Sequence, residues 1–344
     1  MRTSRRTLLA IGLALAAGAA GCAAEPVSPS GTASSGAGAK KLIVGYSVAI
    51  AREPTFEAMI KTVEKHVKDR GGEVYVADAN FNPNQQLSDI DSLIQRGVNV
   101  LLVAPIDTNG LQPAFQRARD KKIPIIVQEG KSNSGEYFVN LVTDNFEASQ
   151  AAAKYLAENG GGPAVAIQGE QIADLLITRK QGFDDGAKAA GMQVLDTKFM
   201  TQNTDAEARG FAEQFKQRHG GSVHGLFAWN TLAAVGAVSA LGGSFNPKVV
   251  SLNANPVEVE FVKGGKLLAT WSVVPVAYAK MMVQLAQQAV DGQPAPAKEI
   301  HVTMPRIDKS NVDKWVPWDQ QIAQPLDVKF ETRDGKTYLK TDAL

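Results

Sequence analysis

The run Val98-Asn99-Val100-Leu101-Leu102-Val103-Ala104 is almost uninterruptedly apolar and rich in β-branched residues. It is too short for a buried helix and lacks the alternation of a strand with one wet face, so it predicts a strand covered on both sides, as in a parallel sheet between helical layers. Comparable runs occur at 42–48, 73–77, 123–128 and 137–142, with helical segments between them at 56–69, 85–96, 111–121 and 146–158. The pattern then starts again. Strands are expected at 164–168, 193–199, 225–229, 249–252 and 268–273, and helices at 175–190, 206–218, 232–241 and 257–263. Two such blocks without a long linker predict an α/β fold of two doubly wound parallel-sheet lobes with a cleft between them. Ligands of open α/β sheets sit at the carboxyl ends of the strands.

The charge balance removes one class of partner. Lys and Arg total 36 against 35 Asp and Glu in 344 residues, and without Arg2, Arg5 and Arg6, which fall in a targeting segment, 33 basic residues face the same 35 acidic ones. A protein that neutralises nucleic-acid phosphates needs a clustered basic excess, and none is present. The single cysteine, Cys22, excludes an intrachain disulfide and a cysteine-ligated metal site.

Residues 1–21 have the layout of an export signal: Arg2, Arg5 and Arg6, an apolar run over 8–20, then small residues. The apolar run is too short to span a bilayer. Ala19-Ala20-Gly21-Cys22 resembles a bacterial lipobox, with Ala19 departing from the preferred leucine, so Cys22 is the expected lipidation site. Ser4-Arg5-Arg6-Thr7-Leu8-Leu9 also resembles a twin-arginine signal. Residues 22–40 are rich in Ala, Ser and Gly and predict a flexible tether, so the expected protein is exported and held by lipid on the outer face of the cell membrane.

Six segments in order resemble the periplasmic sugar-binding proteins of ABC importers, the ribose- and galactose-type family of type I periplasmic binding proteins. They are Ala104-Pro105-Ile106-Asp107 closing its strand, Lys122-Ile123-Pro124-Ile125-Ile126-Val127, Thr143-Asp144-Asn145, Arg179-Lys180-Gln181-Gly182-Phe183, Leu226-Phe227-Ala228-Trp229-Asn230, and Gly264-Gly265-Lys266-Leu267-Leu268-Ala269-Thr270. The resemblance covers roughly 42–304. It implies three hinge crossings, with a first lobe of 41–143 plus 274–302 and a second of 144–273 plus the tail 303–344. The tail is longer than the family usually shows and carries Trp315 and Trp318.

A polyhydroxylated ligand needs planar bidentate side chains for adjacent hydroxyls and aromatic faces for C–H surfaces. Carried over by position, the resemblance assigns these roles to Phe56, Glu129 and Thr143 from the first lobe and the crossing, and to Arg179, Asn230 and Asn253 from the second. Ribose-type members usually carry asparagine, aspartate and glutamine where Ala104, Asn253 and Val273 stand, which points away from ribose. The implied function is capture of a sugar or polyol and its delivery to an ABC permease by a monomer. The alternative is a receptor for a nucleoside or quorum signal on the same fold. No cofactor, metal or enzymatic activity is expected: Gly130-Lys131-Ser132 lacks the first glycine of a phosphate loop, and His66, His219, His224 and His301 are scattered.

Overall fold

The computed structural model describes residues 40–107, 109–128 and 137–344; Cys22, the signal and tether segments and Glu129 lie outside the described residues. The first lobe begins β1 (Ile43–Val48), α1 (Pro54–Lys68), β2 (Glu73–Asp78), α2 (Pro83–Gln95), β3 (Val100–Val103), α3 (Gln112–Asp120), β4 (Ile125–Gln128), β5 (Val139–Thr143). The second lobe follows with α4 (Asn145–Glu158), β6 (Ala164–Gly169), α5 (Asp174–Ala189), β7 (Val194–Met200), α6 (Asp205–His219), β8 (Gly225–Ala228), α7 (Thr231–Ser239), β9 (Lys248–Asn253), α8 (Pro256–Lys263) and β10 (Ala269–Ser272). The chain returns to the first lobe through α9 (Pro275–Val290) and β11 (Glu299–Val302), then forms β12 (Arg306–Asp308), α10 (Trp318–Ala323), β13 (Lys329–Arg333) and β14 (Lys336–Lys340).

The first sheet has the order β13-β14-β11-β5-β4-β3-β1-β2 and the second β12-β10-β9-β8-β6-β7. Every pairing is parallel except β13 with β14 and β12 with β10. Every residue of β3, β4 and β6 is buried, as their apolar runs require, whereas the edge strands β2 and β7 are largely half-exposed. In the first lobe the sheet separates two apolar clusters, one around Val44, Tyr46 and Met282 and one around Leu101, Phe115 and Ile125. One continuous cluster fills the second lobe, with Phe183 stacked on Phe227 at 4.3 Å.

The chain passes between the sheets at Thr143/Asp144, at Val273/Val274 and after Val302. Val274 is a buried β-branched residue held at φ +43°, a conformation such side chains rarely adopt. Strained backbone persists where the surrounding structure over-determines it, which fits a crossing between two packed bodies.

The tail differs from its expected place in the second lobe. Only β12 joins the second sheet, while β14 pairs in parallel with β11 and brings β13 into the first sheet. Trp318 packs against Ala58 and Val276 of first-lobe helices, and Lys280 Nζ donates to the carbonyls of Gln321 (2.8 Å) and Pro325 (3.2 Å). Without β14, β11 would expose a row of unpaired backbone groups, and covering that edge is the physical reason for the return. The chain therefore crosses a fourth time, near Trp315, whose ring touches both the second-lobe core and the Trp318 cluster.

Candidate ligand-binding cleft

The carboxyl ends of both sheets face a cleft of about 890 Å³ of empty space, mouth included. Arg179 is the side chain around which its second-lobe wall is arranged. It lies in the second turn of α5 and is 2% exposed. Its Nε donates to Asn145 Oδ1 at 2.8 Å, and Nη1 donates to the Trp229 carbonyl at 2.8 Å and to Asn253 Oδ1 at 3.0 Å. These three acceptors are neutral. Asp184, farther along α5, pairs with Lys180.

Gly182 explains how α5 comes close enough to place this guanidinium. A Cβ there would lie 2.3 Å from the Phe146 carbonyl oxygen, so only glycine lets α5 rest on the first turn of α4, from which Asn145 reaches Arg179. The Arg-x-x-Gly spacing thus puts the cation and its close-approach glycine on neighbouring turns of one helix face.

Asn230 follows β8 and caps α7, its Oδ1 accepting from Ala233 N at 2.9 Å, while its Nδ2 donates to Asn203 Oδ1 at 2.9 Å. Asn253 closes β9 at φ +101°. Phe56 lies half-buried in the first turn of α1. All four of Arg179, Asn230, Asn253 and Phe56 line the cleft. Thr143 is not among the described residues that do: it ends β5 at the crossing, and its carbonyl accepts from Asn145 Nδ2 at 3.2 Å, so it touches the site through the residue that holds Arg179. Glu129, directly after Gln128 of β4, lies outside the described residues.

The cleft also contains residues that sequence reasoning passed over, notably Glu53, Gln128 and Asn203. Glu53 is buried at the N-cap of α1, where Oε2 accepts from the backbone of Thr55 (2.8 Å) and Phe56 (3.3 Å). Its Oε1 accepts from Asn255 Nδ2 of the second lobe at 3.2 Å, a polar contact across the lobes. Burial pushes this carboxyl above its ordinary pKa, against the opposing effect of these bonds. Asn255 in turn donates its backbone N–H at 2.9 Å to Glu258, a fully buried carboxyl that also accepts from Thr231, Ser251 and Thr270. Burial raises Glu258 to about 7. Gln128 was legible as the polar residue closing an apolar strand, the position the strand-end rule singles out. Glu53 was not, because glutamate is an uncommon N-cap.

Residues 44–294 match the periplasmic binding protein domain. The chain belongs to the periplasmic binding protein family. Among relatives of this binding protein, the ribose import binding protein RbsB of Bacillus subtilis is 27% identical over 274 residues, covering 79% of this chain and 89% of that one. A xylitol-binding protein of Mycolicibacterium smegmatis is 25% identical over 256 residues, covering 73% of each chain. In fold, the binding protein is similar to a Caulobacter myo-inositol binding protein bound to myo-inositol, with a TM-score of 0.73 at 22% identity over 80% of this chain and 96% of that one. An ABC transporter solute-binding protein from Actinobacillus succinogenes with bound D-allose gives the same TM-score at 24% identity, covering 80% of this chain and all of that one. The two-lobed type I periplasmic binding protein fold is therefore shown, and the family's relatives are sugar- and polyol-binding transport proteins. None of the four histidines lines the cleft. Among the described residues no helix is long and apolar enough to cross a membrane, and no cluster of three His, Cys, Asp or Glu side chains could hold a metal.

Proposed function

We propose that this protein is an extracytoplasmic solute-binding lipoprotein that closes its lobes on a sugar or polyol and delivers it to an ABC permease. The observation that carries the reading is the buried guanidinium of Arg179, fixed by neutral acceptors at the wall of an interlobe cleft that also presents the amides of Asn230 and Asn253 and the ring of Phe56. Such a set matches adjacent hydroxyls and the C–H face of a ring, and it supplies no nucleophile with an adjacent base. Glu129 joins this set as the first-lobe carboxylate. Closure is a population shift stabilised by ligand contacts from both lobes. Cys22 carries the lipid, and residues 22–40 leash the lobes to the membrane surface.

A thermal-shift screen of the full chain against sugars, polyols, nucleosides and amino acids tests the ligand class. A ligand at 100 times its Kd adds ~2.7 kcal/mol to stability, which raises the midpoint by several degrees. Hits confined to nucleosides or amino acids would overturn the carbohydrate reading. For the anchor, Cys22→Ala is expected to release the protein from the membrane fraction and abolish acyl labelling; continued membrane association of the variant contradicts lipidation.

A further inference from the structure

The lobes meet in a buried polar contact beside Arg179, and each half of that contact is built within its own lobe. On the first-lobe side Glu53 caps α1, its Oε2 accepting from the backbone N–H groups of Thr55 at 2.8 Å and Phe56 at 3.3 Å, so part of its charge is met at a helix N-terminus. On the second-lobe side Asn255 precedes α8 and donates its backbone N–H at 2.9 Å to Glu258, which the hydroxyls of Thr231, Ser251 and Thr270 hold in turn. Between the lobes, Asn255 Nδ2 donates to Glu53 Oε1 at 3.2 Å. The Thr55 hydroxyl lies 3.0 Å from Asn255 Oδ1 and 3.1 Å from Glu53 Oε1, and its one proton can go to either acceptor. Glu53, Thr55 and Asn255 are 7%, 6% and 1% exposed. Asn253, which accepts from Arg179 Nη1, places its Nδ2 3.5 Å from the same Glu53 oxygen. Every partner in this contact is a protein group.

We propose that Glu53, Thr55 and Asn255 form a clasp that favours the closed arrangement of the lobes before a ligand enters. The inference rests on the lobes closing around a solute and is independent of which solute that is. Because each half is already held by its own lobe, bringing the two together orders few side chains, and Glu53 keeps its α1 donors whether the lobes are open or closed. Bonds across the lobes replace bonds to water, so the bias is modest, about two- to tenfold per bond. A ligand that binds only the closed form has an apparent Kd equal to its intrinsic value divided by the closed fraction. Weakening the clasp therefore raises Kd by the ratio of the closed fractions, the same for every ligand. Losing a group that touches the ligand instead raises Kd by a factor that varies with the ligand's chemistry.

Small-angle X-ray scattering of the unliganded full chain tests it in wild type, Thr55→Val and Asn255→Ser, followed by calorimetric titration with D-ribose, D-allose, xylitol and myo-inositol. Thr55→Val removes the hydroxyl with little change of shape, and Asn255→Ser is too short to reach Glu53 yet keeps a residue suited to start α8. Both variants are expected to enlarge the radius of gyration of the unliganded protein, and to raise Kd about two- to tenfold by a common factor across the solutes that bind. A cooperative melt identifies the folded variants, and either one suffices. Unliganded scattering that is the same for wild type and a folded variant overturns the clasp. So does a loss of affinity that differs by more than about threefold between solutes, since it would make these side chains ligand contacts. If none of these solutes binds, the unliganded scattering decides alone: opening of the variants upholds the clasp while the carbohydrate reading fails.

Discussion

Both lobes turn the carboxyl ends of a parallel sheet towards the cleft, yet the first presents mainly Ile50, Met59, Ala104 and Ile106 there and the second presents Arg179, Asn203, Asn230 and Asn253. Glu53 and Gln128 add polar groups to the first wall and Leu175, Leu176 and Val273 add apolar surface to the second, so the two differ in proportion. Affinity should depend unequally on the two walls, which can be tested by paired substitutions.

The largest expected contrast is between Arg179→Ala and Ile50→Ala. Truncating a desolvated, charge-assisted hydrogen-bond donor costs on the order of 2–5 kcal/mol, about 30-fold to several thousand-fold in Kd. Removing an aliphatic contact from the opposite wall costs about 1 kcal/mol, under tenfold. Calorimetry with the ligand identified by screening measures both, and equal losses would erase the distinction between the walls.

Next come two glycines. Gly182→Ala places a Cβ 2.3 Å from a backbone carbonyl oxygen of α4, whereas Gly45→Ala in the first lobe meets the movable Cδ2 of Leu101 at 2.9 Å. Overpacking against backbone costs about 1–3 kcal/mol. Denaturant unfolding should show a loss of that size for Gly182→Ala and a smaller one for Gly45→Ala, and only the former should also weaken ligand binding, because α5 carries Arg179. Unchanged affinity in folded Gly182→Ala would separate the helix contact from the site.

The lobes also respond oppositely to pH. Burial raises Glu258 of the second lobe from 4.5 to about 7, whereas burial and the facing Lys280 ammonium lower His66 of the first from 6.5 to about 4. A carboxyl that holds its proton more tightly when folded adds stability at acid pH and loses it as pH rises from 4.5 towards about 7. An imidazole that binds its proton less tightly when folded adds stability above 6.5 and loses it as pH falls towards about 4. Between these limits the two slopes oppose each other, each at most ~1.4 kcal/mol per pH unit. Relative to wild type, the stability of Glu258→Gln should rise with pH from 4.5 to 6.5, and that of His66→Gln should fall. Parallel stability curves for the three proteins would show that neither group titrates as its burial implies.

The smallest effects belong to pairs one helical turn apart, the exposed Lys61–Glu57 on α1 and the half-buried Lys180–Asp184 on α5. Lys61→Ala and Lys180→Ala should each cost about 0.3–0.5 kcal/mol. Lys180→Ala should leave Kd within twofold although it adjoins Arg179; a large change in Kd would mean that the charge of the helix, rather than the aim of one guanidinium, governs binding.

Much of the fold was legible because apolar periodicity reports burial directly: the runs at 98–104 and 164–168 correspond to β3 and β6, whose residues are all buried. The tail was misplaced although Asp334-Gly335, flanked by alternating segments, is a strong hairpin signal. A hairpin signal predicts two paired strands and says nothing of which sheet receives them.

The amino-acid pattern by itself determined two covered parallel sheets, the order of their elements and the strand ends at which a cleft would form, since each follows from local periodicity and chain order. Only the tertiary structure decided that the tail returns to β11, that Glu53 meets Asn255 across the lobes, and that Arg179, Asn203, Asn230 and Asn253 gather on one wall of the cleft. Those outcomes depend on residues about 40 to 200 positions apart coming into contact, and such pairings are set by packing and by satisfying buried polar groups.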